Sequence, residues 1–124
     1  MKQKGYILVV ENDDLIRDLL ERWLGEAGYA VIAADQGAMR APRRADAPCL
    51  VIVNVASPRG AQPLIRSLQA VYAAPILVVS GRFRRGLAGS AEAAHRLGVR
   101  KVLPKPFTRK ELLSAVHESL EAEK

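Results

Sequence analysis

Short apolar runs that alternate with amphipathic stretches constrain the fold of this chain more than any other feature. Three continuous runs rich in Val and Ile, at residues 6–10, 49–53 and 75–79, each end in polar or turn-forming residues. Such runs predict strands buried on both faces, as in a parallel sheet that is covered by helices. Two weaker runs, at residues 29–34 and 101–103, predict further strands of the same type.

Helical periods lie between these runs. Apolar stripes at spacings of three and four predict one helix after the first strand, one after the third strand and one near the end of the chain. The stripes are Leu15, Ile16, Leu19, Leu20, Trp23 and Leu24 in the first, Leu64, Ile65, Leu68 and Val71 in the second, and Leu112, Leu113, Val116 and Leu120 in the third.

The ends of the helices carry signals of their own. Asp13 and Asp14 suit the start of the first helix and Gly28 its end, while Thr108 with Glu111 predicts a capping box on the last helix. Two less regular helices are predicted at residues 36–44, where Pro42 interrupts the pattern, and at residues 87–97, before Gly98.

Strand then helix, five times over, predicts a three-layer doubly wound α/β domain around a five-stranded parallel sheet. The 124 residues are predicted to form this single domain, residues 1–124. The apolar runs are too short to span a bilayer, and the first ten residues lack the apolar core of a signal peptide. With one cysteine and no internal disulfide, the expected compartment is the cytoplasm.

Polar residues stand where the predicted strands end. Glu11 and Asn12 follow the first strand, Asn54 the third, Ser80 the fourth and Lys105 the fifth. In a doubly wound sheet the functional crevice lies at the carboxyl ends of the strands. These residues are therefore the candidate site, and packing does not explain why they are polar.

The motifs "YILVVENDD", "CLVIVNVASPRG", "PILVVSG" and "KVLPKPFTRKELLSAV", in this order, resemble the response-regulator receiver family of two-component signalling. The resemblance implies a flavodoxin-like sheet with strand order 2-1-3-4-5. It places the acidic pair of the family at Glu11 and Asn12 and the phosphoacceptor at Asn54. The conserved hydroxyl and lysine of the family fall on Ser80 and Lys105, and the residue whose carbonyl binds the metal falls on Ala56.

Two of the three family carboxylates are amides in this chain, at Asn12 and Asn54. A neutral amide does not supply the anionic oxygen that phosphoryl transfer requires, and Mg²⁺ prefers anionic oxygen ligands. The sequence therefore predicts a degenerate receiver with no cofactor, in which Mg²⁺ binds only if the pocket keeps residual affinity. Glu11 and Lys105 are expected to balance each other's charge.

Receiver partners commonly dock on the face that corresponds here to residues 87–97, 101–103 and 108–120. Val102 replaces the usual aromatic switch of that face. Arg82, Arg84 and Arg85 flank it in a chain of net charge +6. Together with Val102, these arginines predict constitutive binding of an acidic or amphipathic protein surface, or of a second copy.

Two other functions remain open from the sequence. One is a working phosphorelay receiver, either with an unusual acceptor such as Ser57 or with its acceptor mutated. The other is a small basic domain that binds nucleic acid, although no nucleic-acid motif accompanies the basic cluster. No catalytic cluster indicates an enzyme, and His95 and His117 each lack a second ligand at metal-binding spacing.

Overall fold

A computed structural model describes residues 6–11, 13–34, 48–55, 61–72, 74–80, 94–95, 98–104 and 107–121. The strands and helices within these ranges are named in chain order. They are β1 (Tyr6–Val10), α1 (Asp14–Glu26), β2 (Val31–Ala34), β3 (Pro48–Asn54), α2 (Ala61–Val71), β4 (Ile76–Ser80), β5 (Lys101–Pro104) and α3 (Arg109–Glu121).

The five strands form one parallel sheet in the order β2-β1-β3-β4-β5. This confirms the predicted doubly wound α/β architecture and the flavodoxin-like strand order. The order reverses between β1 and β3, which are hydrogen-bonded neighbours although β2 lies between them in the sequence. The crevice expected at this switch point lies beyond Val10 and Val53, which face each other in register at the carboxyl ends of these strands.

Alternate strand residues supply the two halves of the core. On one face of the sheet, Ile7 and Val9 pack with buried side chains of α1 and α3. On the other face, Leu8 and Val10 pack with Ile65 and other apolar residues of α2 and of the segment around residue 94. Burial on both faces explains why these strands are continuous apolar runs.

The predicted helical stripes are correct except at two positions. Leu15 is 80% exposed, because it lies about 140° around α1 from Leu20, which faces the core. Val71, the last residue of α2, is 64% exposed. Tyr72, four residues after Leu68, packs against the core in its place.

The predicted helix ends are confirmed where the structure describes them. The Asp13 side chain caps α1, and Gly28 has φ 99° after its end. Thr108 and Glu111 exchange two hydrogen bonds of 2.9 and 3.0 Å as a capping box on α3. Gly98, with φ 73°, follows a short helical segment at residues 94–95. The predicted helix at residues 36–44 and most of that at 87–97 lie outside the described residues.

Strand boundaries differ from the prediction by one or two residues. The largest change is at β2, which begins at Val31 and not at Tyr29. The backbone N–H of Tyr29 donates to the carbonyl of Leu24 at 3.1 Å, so this residue is still hydrogen-bonded to the last turn of α1 and not to the sheet. No helix in the described ranges is long and apolar enough to cross a membrane.

Candidate functional site

The sheet brings Glu11 and Asn54 together at its carboxyl edge. Glu11 directly follows Val10, whose register partner is Val53, and Asn54 is the last residue of β3. Asn54 is in register with Val79 of β4. Ser80, the next residue, is the last of that strand, and its backbone therefore lies at the same edge of the sheet. The predicted site residues Asn12, Ala56 and Lys105, and the alternative acceptor Ser57, lie outside the described residues.

A direct hydrogen bond joins the two described site residues. The amide Nδ2 of Asn54 donates to Oε2 of Glu11 at 3.0 Å. A carboxylate can only accept hydrogen bonds, so this contact requires the amide to present its NH₂ group to Glu11. An aspartate at position 54 has no such group, and its oxygen would oppose the Glu11 carboxylate at the same distance.

Glu11 is a buried carboxylate with one satisfied and one unsatisfied oxygen. Its side chain is 1% exposed. Oε2 accepts a second hydrogen bond, of 3.0 Å, from the backbone N–H of Asp13. Oε1 is buried and has no hydrogen-bond donor among the described residues. Burying a charged oxygen without a partner is costly, so the two donors to Oε2 carry much of the compensation.

The loop between β1 and α1 is held by the side chain of Asp13, which caps the helix, and by that of Arg17 of α1. Oδ1 of Asp13 accepts from the backbone N–H groups of Leu15 and Ile16 at 2.9 and 3.1 Å. Nη1 of Arg17 donates to the backbone carbonyl of Glu11 at 2.9 Å, and its Nη2 pairs with the carboxylate of Asp14. Asn54, Glu11, Asp13 and the start of α1 are thus one connected network.

Arg17 is a residue of this network that the sequence prediction missed. The helical pattern placed it off the apolar stripe and gave it no further role. The available signal was its spacing, three residues after Asp14, which allows an ion pair along a helix. The bond to the carbonyl of Glu11 depends on the path of the loop, which the pattern does not determine.

The receiver resemblance implies a Mg²⁺ ion at this edge, and the described residues do not fit one. Mg²⁺ takes six oxygen ligands in near-ideal octahedral geometry. Glu11 offers one oxygen that is not hydrogen-bonded, and Asn54 turns its NH₂ group, not its oxygen, towards that carboxylate. Asp13 is engaged in capping α1, and the described residues contain no group of three His, Cys, Asp or Glu that could hold a metal.

The structure corrects one part of the predicted docking face. Val102 lies on β5 and is 1% exposed within the core, so its side chain packs inside the domain and presents no surface to a partner. On the same face, Nζ of Lys101 pairs with Oε1 of Glu118 of α3 at 2.9 Å. Arg82, Arg84 and Arg85 lie outside the described residues.

Solved structures of response regulators share this fold over nearly the whole chain. A response regulator from Thermotoga maritima is 20% identical, with a TM-score of 0.75, and the match covers 96% of this chain and 99% of that one. The chemotaxis response regulator CheY4 of Vibrio cholerae is 22% identical, with a TM-score of 0.72 and coverage of 95% and 100%. A response regulator receiver protein from Burkholderia phymatum is 25% identical, with a TM-score of 0.71 and coverage of 95% and 96%.

The sequence by itself gives no such match. No family model matches it, and no curated protein does. The likeness therefore rests on the three-dimensional structure, in which the strand order is the one that the motif resemblance predicts. This chain has the fold of response-regulator receiver domains.

Proposed function

We propose that this chain is a receiver-like signalling module that does not use phosphorylation and acts by binding another protein. The observation that carries the proposal is the 3.0 Å hydrogen bond from the amide of Asn54 to the buried carboxylate of Glu11. This bond stands where the receiver resemblance places the phosphoacceptor and its acidic neighbour. An amide whose NH₂ group is held by a carboxylate is not a nucleophile for a phosphoryl group.

Charge in the pocket supports the same function. Clustered carboxylates repel one another unless a cation offsets them. Replacing one of them by an amide turns this repulsion into an attraction, and the second amide, Asn12, removes a further negative charge. Lys105, the predicted counter-ion of Glu11, supplies a positive charge at the same edge in this proposal. A pocket built in this way needs no divalent cation and no phosphoryl group to be stable.

The absence of a trigger fits a constitutive surface. In a phosphorylated receiver the new charge must move a second element, and the resemblance assigns that movement to an aromatic residue at the position of Val102. Val102 is small, apolar and packed in the core. Without a phosphoryl group and without an aromatic switch, the domain has one arrangement in which to meet its partner.

The direct test is the intact mass of the protein after incubation with a small acyl phosphate and Mg²⁺. We expect no gain of a phosphoryl group. The variant Asn12→Asp with Asn54→Asp is the matched control, because it restores both carboxylates and should gain the group if the rest of the pocket is intact. A phosphoryl adduct on the unchanged protein, at Ser57 or elsewhere, would instead establish a working phosphorelay receiver.

A further inference from the structure

A groove along α3 has the chemistry of a binding surface. It has a volume of about 440 Å³ and is lined by Arg109, Lys110, Leu113, Ser114 and His117. Leu113 is only partly buried against the core and forms the apolar part of the groove. Two basic side chains stand at its start, in the first turn of the helix: Lys110, and Arg109, which is paired with Glu26 of α1. A matching partner is therefore acidic and carries an exposed apolar side chain.

This groove lies in the segment 108–120 of the predicted docking face, but on the flank of α3 that turns towards α1 and away from Lys101 of β5. Nη1 of Arg109 pairs with Oε1 of Glu26 on α1 at 3.2 Å. Trp23 of α1 and Phe107, just before α3, meet edge to face with ring centroids 6.4 Å apart. Lys101 and Glu118, by contrast, pair on the opposite flank of α3.

The first turns of α1 carry the complementary chemistry. Leu15 is 80% exposed, and the exposed carboxylate of Asp18 lies one turn further along the helix. Glu26, on the flank that faces α3, is already neutralised by Arg109 of the same chain. An apolar side chain beside an exposed carboxylate is what a groove with an apolar floor and a basic rim would accept.

The arrangement of the two helices lets a second copy satisfy both surfaces at once. α1 and α3 cover the same face of the sheet, because both contribute buried residues to the same half of the core. Each begins after the carboxyl end of its strand, so they run in the same direction. Consider a twofold axis that runs parallel to the helices, between the two copies and midway between α1 and α3. Such an axis sets α1 of each copy against α3 of the other. The acidic first turn of α1 then meets the basic first turn of α3 twice in one closed contact.

We propose that the surface formed by α1 and α3 binds a second copy of this chain, with Leu15 and Asp18 of each copy placed against Lys110 and Leu113 of the other. The inference deepens the proposed function by naming a partner and a surface. It is independent of the phosphorylation test, since a monomeric protein could still fail to accept a phosphoryl group.

Charge reversal and mixing test the contact. Sedimentation velocity over a concentration series should show a dimer for the unchanged chain. Asp18→Lys and Lys110→Glu should each weaken dimerisation about tenfold or more, since each sets like charges opposite one another at both contacts. An equimolar mixture of the two variants should recover the dimer, because both contacts in the mixed pair again join opposite charges.

Two variants of equal charge change serve as controls. Glu118→Lys changes the charge as Asp18→Lys does, but on the flank of α3 that pairs with Lys101, and Arg66→Glu matches Lys110→Glu on α2, which covers the opposite sheet face. Both should dimerise as the unchanged chain does. Leu15→Ser should weaken the dimer without lowering the free energy of unfolding of the monomer. A chain that stays monomeric throughout, or reversals that weaken it no more than their controls, would overturn the proposed surface.

Discussion

The hydrogen bond between Asn54 and Glu11 makes Asn54→Asp the most informative single substitution for stability. The change removes a hydrogen bond to a charged group, worth about 1.5–3 kcal/mol. It also sets a second carboxylate against Glu11 at the 3.0 Å that the amide now spans. With an effective dielectric constant of about 20, two such charges repel by roughly 5 kcal/mol before any relaxation. Asn54 is half-buried, so the new carboxylate can turn towards water and lose part of that repulsion.

We therefore expect Asn54→Asp to lower the free energy of unfolding by about 3 kcal/mol at neutral pH without metal. Urea unfolding in EDTA, followed by circular dichroism, measures the change. Asn54→Ala is the matched control, because it removes the hydrogen bond and adds no charge, and it should cost about 1 kcal/mol less. The difference between the two variants isolates the repulsion.

Two further measurements test the electrostatic cause. Lowering the pH from 7 towards about 5 should narrow the gap between Asn54→Asp and Asn54→Ala, since a proton on the new carboxyl removes the repulsion. Adding Glu11→Gln to Asn54→Asp rebuilds an amide–carboxylate pair with the roles exchanged, and should recover much of the lost stability. If the Asn54→Asp variant has the same free energy of unfolding in EDTA as the unchanged protein, the reasoning is refuted.

Three other predictions concern stability. Gly28→Ala should lower the free energy of unfolding by about 1 kcal/mol, because φ is 99° at this residue. Gly25→Ala, inside α1 with open space around it, should instead raise the free energy of unfolding by about 0.5–1 kcal/mol. Urea unfolding of both variants measures the two changes, and equal effects would contradict the assignment of the helix end. Ser119→Ala should be neutral or stabilising by up to about 1 kcal/mol, because the buried Oγ has no hydrogen-bond partner among the described residues; a clear loss in the same assay would show that the hydroxyl has a partner. Burial raises the pKa of the Cys49 thiol above its ordinary 9.0. Burial, and to a smaller extent the charge of the nearby Cys49, raises the pKa of the Tyr29 hydroxyl above its ordinary 10.0. Stability should therefore fall as the pH rises above about 9, where the unfolded chain gives up these protons first. Cys49→Ala should make this fall shallower, and an unchanged slope would contradict the prediction.

The sequence predicted the sheet well because its signals are local and redundant. β1 has five consecutive apolar residues between Gly5 and Glu11, and all five are buried in the structure. The same reasoning correctly brought Glu11 and Asn54 to one edge, since the carboxyl ends of parallel strands meet there. The capping residues Asp13, Thr108 and Glu111 act over three residues or fewer, which a linear pattern can detect.

The prediction failed where geometry beyond the local pattern decides. Leu15 satisfies a spacing of four with Leu19, yet it lies on the outer side of α1 because Leu20 and Leu24 fix which face is buried. Val102 was correctly placed on a strand of the type that is buried on both faces, and it was the receiver resemblance, not the strand pattern, that placed it on the docking face. The orientation of the Asn54 amide and the two contacts of Arg17 depend on side-chain geometry across residues distant in sequence.

The central claim is that the strand-end pocket is complete without a divalent cation. The most direct test compares the free energy of urea unfolding in EDTA and in saturating Mg²⁺, with the ionic strength matched by NaCl. A ligand that binds only the folded state at one hundred times its Kd adds about 2.7 kcal/mol. We predict no gain for the unchanged protein and a clear gain for Asn12→Asp with Asn54→Asp. A Mg²⁺-dependent gain of that size in the unchanged protein would contradict the account, because it would show that Glu11 and its neighbours hold a cation despite the bond to Asn54.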